Sequence, residues 1–129
     1  MKFSVSKEEK YAVLSLEEDT LNTMLAPSLK SEFVILRNEG VRNLILDLSA
    51  TSFVDSSGLS AILTANRLWM DEGSFILTGV KHENVKKLIT ISRLDSVLTI
   101  IPTVQESIDY ALMEEMERQL NANADEENE

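Results

Sequence analysis

Apolar and polar residues alternate over two short stretches near the start of the chain, Phe3 to Ser6 and Tyr11 to Leu16, the period of strands with one buried face. The charged Lys7-Glu8-Glu9-Lys10 between them predicts a hairpin connection. The period then lengthens. Leu25, Leu29, Phe33 and Leu36 recur at spacings of four, four and three, Pro27 suits a first helical turn, and Gly40 supplies a stop, so this segment predicts one amphipathic helix. Leu44-Ile45-Leu46-Asp47-Leu48 is nearly all apolar. That pattern fits a central parallel strand covered on both faces.

After a loop over Ser49 to Phe53, the run Asp55-Ser56-Ser57-Gly58 offers helix-capping residues, and Leu59, Ile62, Leu63, Trp69 and Met70 mark a second helix closed by Asp71-Glu72-Gly73. Phe75 to Leu77 predicts a short strand ending near Gly79. Val85, Leu88 and Ile89 give a third helical stripe, and Val97 to Ile101 a last β-branched strand ended by Pro102. Thr103-Val104-Gln105-Glu106 has the form of a capping box, in which the threonine hydroxyl takes a free N–H and the glutamate reaches back. Ile108, Leu112, Met116 and Leu120 then continue at spacing four. From Asn121 to Glu129 every residue is Asn, Ala, Asp or Glu, with nothing to bury, which predicts a disordered acidic tail behind one domain over residues 1–120. An opening hairpin followed by crossover helices predicts an α/β fold, a mixed sheet packed against about four helices.

The length of 129 residues allows one domain with a continuous core. The net charge of −10 is uneven along the chain. Met1 to Met113 carries 15 acidic and 11 basic residues, a balance of −4, and Glu114 onward carries 7 and 1, a balance of −6. An acidic body with a more acidic tail repels phosphate backbones and anionic headgroups, so neither nucleic acid nor a membrane surface is expected as a partner. A partner presenting basic residues fits better. There is no cysteine, and no stretch approaches the ~20 apolar residues of a membrane helix. A soluble, cytoplasmic protein is the expectation.

The segment from Phe53 to Ser60, Phe-Val-Asp-Ser-Ser-Gly-Leu-Ser, is the most informative. Helix capping alone accounts for its residue types: Asp and Ser are good N-caps, and glycine permits close approach. The same geometry suits a phosphate. A hydroxyl at a helix start lies beside unpaired N–H groups and the positive end of the helix dipole.

An apolar strand ending Leu-Asp-Leu-Ser, a short loop, and Phe-Val-Asp-Ser-Ser-Gly-Leu opening a helix together resemble the STAS family, in its anti-sigma factor antagonist branch. The order of elements extends the similarity over residues 1–120. In that branch the serine after the aspartate is phosphorylated by a partner kinase, and it matches Ser56. The resemblance implies a non-enzymatic switch. Unphosphorylated, it engages a serine kinase that is also an anti-sigma factor; phosphorylated, it releases it; and a serine phosphatase resets it. Asn22, Asp55, Ser56, Ser57, Gly58 and Leu59 are the implied partner-binding residues, with Asp55 and Ser57 shaping the loop and Gly58 letting the partner backbone approach. Two positions depart from the family pattern: Asn22 stands where an aspartate is usual, and Arg93 replaces a common glycine. The alternative is a constitutive STAS interaction or scaffold domain without a phosphorylation switch.

Other chemistries are poorly served. Asp47 ends a central strand, as a receiver-domain phosphoacceptor would, but the acidic pair and the lysine of such a site are missing from their places, and a loop-capping carboxylate is the stronger reading. His82 is the sole histidine and reads as a surface residue, and Ser56 lacks the preceding glycine of a nucleophile elbow. No cofactor or metal site is expected. Trp69, Met113 and Met116 read as packing residues, and an exposed methionine stripe would suit a partner. Because residues 121–129 hold no apolar side chain larger than alanine, deleting them is expected to change stability by less than ~0.5 kcal/mol. Thermal melting of the truncated chain checks this; a markedly lower midpoint would show the tail docked on the body.

Overall fold

A computed structural model describes residues 1–127. The chain opens with β1 (Phe3–Lys7) and β2 (Ala12–Leu16), paired antiparallel with Val5 opposite Leu14. Phe3 and Val5 turn inward while Ser4 and Ser6 face solvent, the alternation their sequence specified. A short strand, β3 (Thr20–Leu21), leads to α1 (Ala26–Asn38). Then follow β4 (Asn43–Asp47), β5 (Phe53–Val54), α2 (Ser56–Trp69), β6 (Ser74–Thr78) and α3 (Glu83–Ile91). A 3-10 turn (Leu94–Ser96), β7 (Thr99–Ile101) and α4 (Val104–Glu127) complete the order.

The main sheet runs β1-β2-β4-β6-β7, antiparallel only between β1 and β2 and parallel elsewhere. Its centre is β4, and the near-continuous apolar run there is explained by burial on both faces. Leu44 and Leu46 pack with Leu29, Phe33 and Ile62 of α1 and α2. Ile45, on the opposite face, packs with Val13, Ile76 and Ala111 under α4. Trp69 is fully buried at the end of α2, its indole N–H donating to the Val41 carbonyl at 2.9 Å and its ring edge-on to Phe33. That donor bond is what allows so large a polar-tipped ring to lie inside.

Two regions depart from the sequence pattern. The last strand begins at Thr99, not Val97, because Leu94 to Ser96 form the 3-10 turn. Arg93 precedes that turn with φ of 58°, the left-handed conformation that favours glycine, so its substitution for the family's glycine falls on a strained residue. The second departure is α4. Leu112, Met113, Met116 and Leu120 are exposed, and the residues facing the sheet are Ser107, Ala111 and Glu115. The stripe at spacing four is therefore the outer face, with only Ile108 packed inward. Half of the capping box at its start is present: the Glu106 N–H donates to Thr103 Oγ1 at 3.1 Å, while the Glu106 carboxylate accepts from the threonine hydroxyl at 2.9 Å in place of the Thr103 N–H. The segment expected to be disordered from Asn121 continues as helix through Glu127, with Asn121 to Ala124 exposed; Asn128 and Glu129 lie outside the described residues.

A polar cluster fastens α4 to the sheet. The Glu115 carboxylate is 2% exposed, accepts from Arg118 at 2.7 Å and Asn43 at 3.2 Å, and is ion-paired with Arg42 at 2.8 Å. Arg118 also donates to Asn43 Oδ1 at 2.6 Å and to the Ser74 hydroxyl at 3.2 Å. Burial alone raises the Glu115 pKa, but hydrogen bonds from Arg118 and Asn43, with the charges of Arg42 and Arg118, outweigh it and hold the carboxyl below its ordinary value of 4.5. A carboxyl depressed by folding stabilises the native state above its ordinary pKa, and that contribution is lost as pH falls through the lower folded value. Glu115→Gln is expected to cost about 1.5–3 kcal/mol at neutral pH, the worth of hydrogen bonds to a charged group. Its deficit relative to wild type should shrink below pH 4.5. Denaturant unfolding at pH 7 and pH 3 checks this, and a deficit independent of pH would contradict it.

Candidate functional site

The site forms at the carboxyl ends of the parallel strands, where the chain leaves β2 and β4 to begin the next crossovers. The two departing loops meet as a second, two-stranded sheet: β3 and β5 pair in parallel, Thr20 beside Phe53 and Leu21 beside Val54. Several hydrogen bonds brace this pair. Ser52 N–H donates to the Asp19 carbonyl at 2.8 Å, the buried Thr51 hydroxyl to the Glu18 carbonyl at 2.8 Å, and Val54 N–H to Asn84 Oδ1 at 3.1 Å. Phe53, expected at the end of a loop, is thus the first residue of β5. Strands of two residues show no period to detect.

Asp47 accepts from the Ser49 N–H at 3.0 Å and from the Ser49 hydroxyl. It therefore closes the loop after β4, as a capping carboxylate would. Asp55 is the N-cap of α2: its backbone is extended and its carboxylate accepts from Gly58 N–H at 2.9 Å. Ser56 is thus the first helical residue, not the cap. It is exposed, and among the described residues its hydroxyl has no hydrogen-bond partner. Ser57, next to it, is engaged, with its Oγ 3.0 Å from Thr23 Oγ1.

Gly58 serves a different purpose from the one its resemblance implied. It is buried, and a Cβ built there would lie 2.6 Å from the Leu21 carbonyl oxygen, 2.8 Å from Leu21 Cγ and 2.9 Å from Val54 Cγ1. The backbone that approaches Gly58 is that of the chain's own β3. Leu59 is likewise turned inward, 8% exposed. Asn22 is half-buried, its side-chain carbonyl accepting from Met24 N–H at 2.9 Å and its backbone carbonyl from Ala26 N–H at 2.8 Å. It shapes the turn into α1. The uncharged amide performs that bond as a carboxylate would.

The structure thus brings Asn22, Asp55, Ser56, Ser57 and Gly58 onto two adjoining turns, joined by the Asp55 N–H to Leu21 carbonyl bond of 3.1 Å and by the Thr23–Ser57 contact. Between the first turns of α1 and α2 lies an open pocket lined by Thr23, Lys30, Ser56, Ser57 and Ser60. Thr23 and Lys30 were missed by sequence reasoning. The only signal for Lys30 was its place three residues after Pro27, on the α1 face that turns toward α2. Two neighbouring apolar side chains face solvent, Met24 before α1 at 83% and Phe53 of β5 at 44%. His82 is exposed at the start of α3 and makes no capping bond. Among the described residues no group of three His, Cys, Asp or Glu is placed to hold a metal ion, and no helix is long and apolar enough to cross a membrane.

The sequence pattern of the STAS domain matches residues 4–107, from β1 into the first turn of α4. The chain belongs to the STAS domain family. Solved structures of anti-sigma factor antagonists superpose on this STAS chain. One from Mycobacterium paratuberculosis has a TM-score of 0.77 at 20% identity, covering 85% of this chain and 92% of its own. An anti-sigma-factor antagonist (STAS) domain protein from Planctomyces limnophilus gives 0.76 at 19%, covering 85% and 97%. The Bacillus cell fate determinant SpoIIAA in its phosphorylated form gives 0.65 at 21%, covering 84% and 98%. At these identities the likeness is one of fold, and it agrees with the mixed sheet and four helices of this STAS domain.

Because a side chain at position 58 must displace β3 backbone, Gly58→Ala is expected to destabilise the domain by about 1–3 kcal/mol, the usual cost of overpacking. Gly58→Val should cost more. Thermal melts of both variants check this, and a Gly58→Ala melt equal to wild type would show that β3 yields freely.

Proposed function

We propose that the chain is an anti-sigma factor antagonist whose Ser56 is the phosphorylation switch. The observation that carries this reading is the contrast between adjacent serines: Ser56 is exposed with a free hydroxyl at the first position of α2, while Ser57 is held by Thr23. A kinase reaching this turn meets one available nucleophile. In the proposed reaction the Ser56 Oγ bonds to the γ-phosphorus of ATP as the β–γ bridge breaks. The hydroxyl proton passes to the kinase's base, and ADP leaves. The STAS chain supplies the acceptor and its surface, and the partner supplies all catalytic groups. A serine phosphatase returns Ser56 to the free hydroxyl by transferring the phosphoryl group to water.

The switch acts on the interface. Unphosphorylated Ser56, with Met24 and Phe53 exposed nearby, offers a partly apolar docking surface for the anti-sigma factor kinase. A phosphate adds about −1.5 to −2 charge there. It has to be desolvated, beside Asp55, when the partner closes over the turn. The fold can accommodate the ester because Ser56 is exposed at the amino end of a helix, where backbone N–H groups favour an anion.

Incubation with the cognate kinase and ATP is expected to add one phosphate to wild type and to Ser57→Ala, and none to Ser56→Ala. The modified protein should bind the kinase at least tenfold more weakly, ~1.4 kcal/mol, and Ser56→Ala should bind constitutively. Intact mass, site mapping and titration calorimetry provide the readouts. Equal affinities with and without phosphate, or phosphate on Ser57 or Thr51 with Ser56 free, would overturn the switch and leave a constitutive interaction domain.

A further inference from the structure

The pocket beside Ser56 has an uneven charge. Its lining includes one cation, Lys30, with the hydroxyls of Thr23, Ser56, Ser57 and Ser60, and no carboxylate. Lys30 is half-buried and forms no ion pair among the described residues, whereas Lys7, Arg37, Arg42, Lys86 and Arg118 each lie within 4.0 Å of a glutamate. Six other cations also form no ion pair among the described residues, but Lys2, Lys10, Arg67, Lys81, Lys87 and Arg93 are all exposed, and Lys30 alone of the unpaired cations is half-buried and beside hydroxyls. The pocket measures about 280 Å³. That is several times the ~30 Å³ that a water molecule occupies in the liquid, so a phosphate group fits beside the side chains that line it.

We infer that Lys30 is the built-in counter-cation of the Ser56 phosphate: once esterified, Ser56 turns its phosphate into this pocket, where the Lys30 ammonium and the Ser60 and Thr23 hydroxyls hold it. The inference rests on the proposed phosphorylation of Ser56 and adds to it a receiving site within the same chain. Lysine suits the task, since a flexible stem ending in a compact charge with three donors can follow a phosphate that arrives only in one state. Paired to Lys30, the phosphate is held between the first turns of α1 and α2 as a dianion at neutral pH. The phosphorylated surface is then a defined shape and not a freely rotating charge.

Encoding phosphoserine directly at position 56 of the full chain makes the test independent of any kinase. The second ionisation of the phosphate is followed by phosphorus NMR against pH in otherwise wild-type protein, in Lys30→Gln and in Lys30→Arg, with circular dichroism confirming the fold of each. A nearby cation favours the dianion, so the wild-type phosphate is expected to titrate at least ~0.5 pH unit below that of Lys30→Gln, with Lys30→Arg close to wild type. Equal titration in wild type and Lys30→Gln would overturn the assignment, including the case where both are lowered by the helix amide groups alone. A rise of equal size in Lys30→Arg would trace the effect to packing, and would overturn it too. The phosphorylation reading fails separately, through site mapping of protein purified from its own host that finds Ser56 unmodified.

Discussion

The missing side chain at Gly58 fixes how closely α2 begins against the segment that precedes α1. With 2.6 Å between the Leu21 carbonyl oxygen and the place a Cβ would occupy, the two chain segments touch backbone to backbone. The other features of the site follow from that contact. Leu21 can pair with Val54, its carbonyl can accept the Asp55 N–H, and Asp55 is left in the extended conformation from which its carboxylate caps Gly58. Thr23, two residues after Leu21, then reaches Ser57, and Ser56 is the residue left facing out. Which serine is available is therefore decided by a contact two residues away, through the register it imposes on the first turn of α2.

Most of the fold was legible because its elements are periodic. The β1–β2 hairpin, the doubly covered β4 and the stripe of α1 each repeat an apolar residue at the spacing that their final conformation requires. The site was legible only in its residue types. Asp, Ser and Gly at a helix start announce a cap, and the family pattern singled out Ser56, but the neighbours of Gly58 lie 37 and four positions away, at Leu21 and Val54. No local pattern encodes that meeting. It depends on two loops converging at the sheet's carboxyl edge, and so a glycine read as open to a partner proves to be filled by the chain itself.

The outer helix shows the opposite failure, in which a clear period points the wrong way. Leu112, Met116 and Leu120 sit at spacing four, yet Ser107, Ala111 and Glu115, on the same spacing, are the residues that meet the sheet. The sheet face beneath α4 offers Val13, Ile45 and Ile76, and small residues such as Ala111 and Ser107 let the helix approach it closely. Further along α4 the sheet presents Asn43, a buried amide that must be hydrogen-bonded. Glu115 and Arg118 answer it. Side-chain size and polar satisfaction outweigh hydrophobicity here, and sequence period cannot weigh them because the demand comes from another element.

Charge is handled differently on the two sides of the sheet, and the difference bears on how a switch can work without unfolding its own domain. Beneath α4 the buried carboxylate already has its counter-charges in the resting protein: Glu115 lies between Arg42, Arg118 and Asn43, and removing Glu115 leaves the partly buried Arg118 without its anion. Between the first turns of α1 and α2 the cation Lys30 and Ser56, the proposed acceptor, share a pocket without a carboxylate. A structural site needs its charges balanced from the outset. A site that is to receive a dianion does better with the imbalance built in beforehand, because the added charge then completes a pair instead of creating an unpaired one. Under the proposed switch, the cost of the phosphate would fall on the partner that must cover it, and the STAS fold would be left nearly as stable as before.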